Sequence, residues 1–93
     1  MENSLQDITD FVNQLKMVPA ELMELQYQPQ SFGSWYIIVR KSGKQFRIVF
    51  DGRDSNFALQ ASSADKKWSE IWSCLKTDTW ATEVITQLKL VSK

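Results

Sequence analysis

Two neighbouring segments rich in aromatic and β-branched residues, 35–41 and 44–50, most constrain what this chain can fold into. Ser42 and Gly43 alone separate them, a spacing that predicts a two-residue β-hairpin turn. Counted from that turn, the apolar residues of one face lie opposite one another as Trp35 with Phe50, Ile37 with Ile48, and Val39 with Phe46. Because the turn and the hydrophobic pattern choose the same register, the hairpin is strongly specified by the sequence.

The segment before the hairpin predicts a helix followed by a strand. Ser4 and Asp7 form an acidic variant of the capping box, and the apolar residues after them recur at helical spacing. A helix is therefore expected over about residues 5 to 17, ending before Pro19. Alternating apolar residues then predict a strand that contains Met23, Leu25 and Tyr27, although a short helix from Pro19 through Leu25 is an alternative.

The segment after the hairpin predicts a turn, a strand and two helices. A turn over residues 51–55 leads to a strand whose alternate residues extend the buried face of the sheet: Phe57, Leu59 and Ala61. Ser62 and Asp65 then form a second capping box, and a helix over about residues 64 to 76 is expected from the stripe Trp68, Ile71, Trp72 and Leu75. A last helix, capped by Asp78 or Thr79, carries the stripe Trp80, Val84, Leu88 and Val91.

Segregated helices and strands in this order are typical of the α+β class. We therefore expect residues 1–93 to form one domain, a two-layer sandwich. It consists of an N-terminal helix, an antiparallel meander of three or four strands and two C-terminal helices. The helices are expected to cover the sheet face that carries Trp35, Ile37 and Val39.

Composition excludes several function classes. The chain has no histidine, which removes the commonest metal ligand and the commonest general base, and it has one cysteine, Cys74. Cys74 is next but one to Lys76, whose charge would favour a thiolate, but its helical setting predicts an inert structural residue. No phosphate-binding loop or dinucleotide fingerprint is present. We expect a protein that is not an enzyme and needs neither cofactor nor metal.

The ends of the chain and its hydropathy predict a cytoplasmic location. No apolar stretch approaches the about 18 residues that a membrane-spanning helix needs. The first residues are acidic, with Glu2, Asp7 and Asp10, and lack the basic start of a signal peptide.

The face of the hairpin opposite the predicted core carries an unusual mixture of residues. A sheet face that meets only water is expected to be polar at nearly every position. Instead, the hairpin register places five residues there that are typical of interface cores: Tyr36, Ile38, Arg40, Arg47 and Val49. Two alternatives need no partner: one helix covers this face, or the arginine stems cover its apolar atoms.

These residues predict a small protein–protein interaction module, of the adaptor, inhibitor, immunity or antitoxin type. Tyr36, Ile38 and Val49 would be apolar anchors, while Arg40 and Arg47 would bind carboxylates of a partner with an acidic surface. The partner is alternatively a second copy of the chain, because a two-fold homodimer would bury the same face. A small-ligand carrier would need a cavity, which four tryptophans in so short a chain disfavour.

Charge is distributed unevenly along a chain whose net charge is zero. Residues 1–30 hold five acids and one lysine, whereas residues 31–53 hold five bases and one acid. The alternative function is therefore weak nucleic-acid binding by the basic segment 40–53, with phosphate contacts from Lys41, Lys44 and Arg53 and stacking on Trp35, Tyr36 and Phe46. The sequence pI of about 6.2 disfavours it, since most nucleic-acid binders are basic overall.

Overall fold

The described residues form five strands between two helices, an architecture of the α+β class. The computed structural model describes residues 4–18, 20–28, 30–63 and 67–91. The helices and strands are α1 Ser4–Leu15, β1 Glu21–Gln28, β2 Ser34–Lys41, β3 Lys44–Asp51, β4 Asn56–Ser62, β5 Trp68–Leu75 and α2 Trp80–Val91. The strands form one antiparallel sheet in which chain order and spatial order coincide, so every connection within it is a simple reversal.

The β2–β3 hairpin has the predicted register. Trp35 lies opposite Phe50, and Lys41 lies opposite Lys44 across the turn. Ser42 and Gly43 have φ angles of +54° and +78°, the two left-handed conformations that a type I′ turn requires. The turn chemistry and the alternation of apolar side chains therefore agree in the structure, as they do in the sequence.

One face of the sheet, here called the inner face, carries the core. Its fully buried side chains come from the three central strands: Trp35, Ile37, Val39, Phe46, Ile48, Phe50, Phe57 and Leu59. Both helices pack on this face, α1 with Ile8, Phe11 and Leu15, and α2 with Trp80, Val84, Ile85 and Leu88. The opposite face is here called the outer face, and no described helix covers it.

Both helices are held at their ends by local interactions. The amides of Met17 and Val18 donate to carbonyls three residues back, which tightens the end of α1 before Pro19, a residue outside the described ranges. At the other end of the chain, the Thr79 carbonyl accepts the first helical hydrogen bond of α2, from Glu83. The predicted position of this helix start is confirmed.

A cluster of aromatic rings joins the helices to the sheet. The Trp80 ring of α2 stacks on Phe57 of β4 at a centroid distance of 4.3 Å and on Phe11 of α1 at 5.5 Å. Trp35 of β2 lies against both Phe11 and Trp80. Its indole Nε1 is buried without a hydrogen-bond partner among the described residues, so the rings around it must offset the cost of desolvating that N–H.

The prediction of a helix over residues 64–76 is wrong. Residues 68–75 form strand β5, while residues 64–66, including Asp65, lie outside the described residues. In a regular strand Trp68 and Trp72 would share a face, but a bulge at Ile71 shifts the register and places them on opposite faces. Pairing with β5 also satisfies the backbone of β4, which holds the fully buried Phe57 and Leu59. The stabilisation from this pairing outweighs the preference for a helix that the spacing of the apolar residues indicates.

The strand count changes accordingly. The meander has five strands instead of three or four, and one C-terminal helix follows it instead of two. The first strand, β1, covers Met23, Leu25 and Tyr27 as predicted, which excludes the alternative helix through Leu25. Neither described helix has the length and apolarity needed to cross a membrane.

Candidate functional site

The outer face brings together the five residues that the sequence predicted to contact a partner. Tyr36 lies opposite Val49, Ile38 opposite Arg47, and Arg40 opposite Gln45, all on the hairpin β2–β3. Tyr36, Ile38, Arg47 and Val49 are half-buried by their neighbours, and Arg40 is exposed. The alternative in which a helix covers this face is not what the described residues show.

The Arg47 side chain lies at the centre of this face and is held by three neighbours. Its Nε donates a hydrogen bond of 2.6 Å to Oε1 of Gln60 on β4. The guanidinium carbon is 5.6 Å from the ring centroid of Tyr36 and 4.8 Å from that of Trp68, both within the range of cation–π attraction. We call these four residues, Tyr36, Arg47, Gln60 and Trp68, the Arg47 platform.

The Arg47 platform fixes a planar cation before any ligand arrives. A guanidinium has five N–H donors, and the bond to Gln60 uses one of them. Arg47 makes no other hydrogen bond to a described residue, so the remaining donors are available to an acceptor. A side chain already held in one orientation loses less entropy on binding than a mobile one.

Trp68 is the member of the Arg47 platform that the sequence reasoning missed. Its helical spacing to Ile71 and Trp72 assigned it to a buried stripe, whereas it lies on the outer face of β5, opposite Ser62. The β-forming composition of residues 68–75 was the available signal, because aromatic residues and isoleucine favour strands.

Two carboxylates of β1 border the Arg47 platform. Glu24 accepts a hydrogen bond of 2.6 Å from the Tyr36 hydroxyl, and this bond, together with desolvation, raises the pKa of the Tyr36 phenol above its ordinary value. Glu21 accepts a hydrogen bond of 2.6 Å from Nη2 of Arg40, an exposed ion pair. The charge of Arg40 is therefore partly compensated within the chain, whereas no described carboxylate pairs with Arg47.

The three bases predicted to contact nucleic acid do not form one patch. Lys41 and Lys44 flank the β2–β3 turn, while Arg53 lies in the turn after β3, over the ring of Phe32. The length of β3 puts about 24 Å between these two ends. Of the three predicted stacking rings, Trp35 and Phe46 are only 1% and 2% exposed and lie in the core, whereas Tyr36 is half-buried on the outer face.

Cys74 is half-buried on the inner face of β5, where it packs against the core. Burial, followed by the charge of Glu83, raises the pKa of its thiol. We therefore predict slow alkylation by iodoacetamide, with a rate midpoint at higher pH than that of a short cysteine peptide. Alkylation in urea should return to the peptide's profile, and a folded midpoint at or below that of the peptide would contradict the prediction.

Neither a metal-binding cluster among the described residues nor a similarity to known proteins assigns a function to this chain. Among the described residues, no group of three or more cysteine, aspartate or glutamate side chains is placed to hold a metal ion. Comparison of the chain with protein-family models, curated proteins and solved structures gives no match to any of them.

Proposed function

We propose that this chain is a non-enzymatic protein-binding module that recognises a partner through its outer face, centred on the Arg47 platform. The observation that carries the proposal is the contact of the Arg47 guanidinium with both Tyr36 and Trp68 on a sheet face that no described helix covers. Trp, Tyr and Arg are the residue types most enriched among those that dominate binding energy at protein interfaces.

The geometry also favours a particular partner chemistry. The free N–H donors of Arg47 suit a carboxylate, which accepts two parallel hydrogen bonds from a guanidinium. Ile38 and Val49, beside Arg47 and Tyr36 in the register, add apolar area that excludes water around that contact. The partner is thus a protein that presents an acidic side chain within an apolar surround; adaptor, inhibitor, immunity and antitoxin proteins all fit this description.

The double variant Tyr36→Ala, Arg47→Glu tests the proposal. We expect it to lose partners that the unmodified chain captures, while its thermal midpoint stays within a few degrees, because neither side chain belongs to the inner-face core. Captured proteins are compared by quantitative mass spectrometry, and one is then titrated by calorimetry. Lys44→Glu is the matched control, since it reverses a charge on the same hairpin away from the platform.

The variant Arg47→Lys separates planar recognition from simple charge. It keeps the positive charge but loses the flat, multidentate guanidinium, so the affinity for the captured partner should fall by about tenfold or more. Unchanged affinity in Arg47→Lys, or unfolding of the double variant, would contradict the proposal. Salt-dependent binding to RNA or DNA that requires Lys44 and not Tyr36 would instead support the nucleic-acid alternative.

A further inference from the structure

Strand β1 is an edge of the sheet, and the described residues leave the leucines on its inner side exposed, although Tyr27 on the same side packs against the core. The strand order ends at β1, so among the described strands it pairs with β2 alone. Leu22 and Leu25 lie on its inner side, opposite Val39 and Ile37, yet they are 48% and 38% exposed. An edge with unpaired backbone groups and apolar side chains is a template for a further strand.

A groove runs between this edge and helix α1. It is open to solvent and has a volume of about 180 Å³, and its lining is apolar except for one lysine: Val12, Leu15, Lys16, Ala20, Leu22 and Val39. Met17, in the turn that follows α1, is strongly exposed. A further strand that pairs with the edge of β1 would therefore also bury the apolar surface next to the groove.

The other edge strand of the sheet, β5, differs from β1 in how its inner side is covered. Its inner-face residues Trp72 and Cys74 pack against the core, as Tyr27 of β1 does, but α2 also contacts β5, and β5 has no exposed leucine on its inner side. Both edges carry a bulge, which discourages uncontrolled pairing, but among the described strands β1 alone combines a free edge with exposed leucines on its inner face.

The sequence of β1 is suited to antiparallel pairing with itself. Its two acids, Glu21 and Glu24, occupy the first half of the strand, and the uncharged Gln26 and Gln28 occupy the second half. Pairing around Leu25 would set Glu24 opposite Gln26 of the second copy, both on the outer face, and Leu25 opposite its own counterpart on the inner face. Parallel pairing in register would instead set glutamate against glutamate.

We propose that β1 pairs antiparallel with β1 of a second copy of this chain, around a two-fold axis at Leu25. The two sheets then become one continuous sheet, with the backbone groups of both free edges paired and the four leucines at positions 22 and 25 covered. This surface is separate from the Arg47 platform, so both copies keep their outer faces available for a partner.

Sedimentation equilibrium over a range of concentrations tests the dimer. We expect the unmodified chain to form dimers, and Leu25→Glu to raise the dissociation constant by about tenfold or more, because two carboxylates would meet at the axis. The matched control is Leu75→Glu on β5, a leucine that is 69% exposed. A monomer at every concentration, or a dimer that Leu75→Glu disrupts and Leu25→Glu does not, overturns the proposal.

Cross-linking tests the register. Leu25→Cys in a Cys74→Ser background should form an intermolecular disulfide on mild oxidation, because directly opposed residues of antiparallel strands have Cβ atoms about 5 Å apart. Leu22→Cys in the same background should not, since the two positions would be about 20 Å apart across the axis. Equal cross-linking at both positions would overturn the register.

The result of the dimer experiment does not depend on whether the outer face binds a partner. The double variant Tyr36→Ala, Arg47→Glu should dimerise with the same dissociation constant as the unmodified chain. Loss of the dimer in that variant would show that self-association uses the outer face and would overturn the β1 proposal. Loss of partner capture with the dimer intact supports both proposals at once.

Discussion

Truncation of Trp80 to alanine is expected to lower the free energy of unfolding by about 4 kcal/mol, the largest effect we predict for a single side chain. The Trp80 ring contacts Phe11, Trp35 and Phe57, and so connects both helices to the sheet. A domain of this length has a total stability of only about 5–14 kcal/mol. The midpoint of thermal unfolding, followed by far-UV circular dichroism, should therefore fall by about 16–32 °C.

Trp68→Ala is the matched control for this prediction. It removes a side chain of the same size, but one that contacts Arg47 on the outer face instead of the aromatic cluster. We expect a loss of about 1 kcal/mol, mainly from the cation–π contact and from partial burial. If the two variants were equally unstable, the division of the tryptophans between core and outer face would be incorrect.

The second large effect is expected for Gly52→Ala, which should lower the free energy of unfolding by about 3 kcal/mol and the Tm by about 12–24 °C. Gly52 lies in the turn after β3, where its amide donates to the Ser34 hydroxyl at 3.0 Å. A Cβ at this position would overlap the backbone carbonyl of Phe32, which is itself held in a left-handed conformation at φ +59°. A backbone carbonyl cannot rotate away as a flexible side chain can. The turn that contains Gly52 and the segment around Phe32 would therefore have to move apart.

Gly43→Ala is the control that separates this steric effect from conformational preference. Gly43 has φ +78°, but an added methyl group would have nothing within 4 Å of it, so alanine meets only the intrinsic penalty of the left-handed region. That penalty is about 1–2 kcal/mol. Urea denaturation of both variants gives the comparison, and a larger loss at Gly43 than at Gly52 would contradict the steric argument.

The β2–β3 hairpin could be predicted because its information is local. A two-residue turn and side chains that alternate between two faces determine the register within about fifteen residues. The same register predicted that Tyr36, Ile38, Arg47 and Val49 share the outer face, which the structure confirms. Their role in binding a partner stays a prediction.

The segment around Trp68 shows where local reasoning failed. The spacing of Trp68, Ile71 and Trp72 fits a helix, and nothing in the neighbouring residues predicts the bulge at Ile71 that places the two tryptophans on opposite faces of the strand. The deciding interaction is with β4, whose backbone needs a partner on that side. The same error hid the Arg47 platform, because Trp68 was assigned to the core.

By itself, the sequence determined the α+β class, the hairpin register and the two terminal helices, because each depends on residues close together in the chain. Only the tertiary structure decided that β5 is a strand, that Arg47 is held by Tyr36 and Trp68, and that Leu22 and Leu25 of β1 are left exposed. These outcomes depend on which backbone groups and surfaces remain unsatisfied after the local elements have formed. That balance belongs to the whole assembly of strands and helices, and no short segment encodes it.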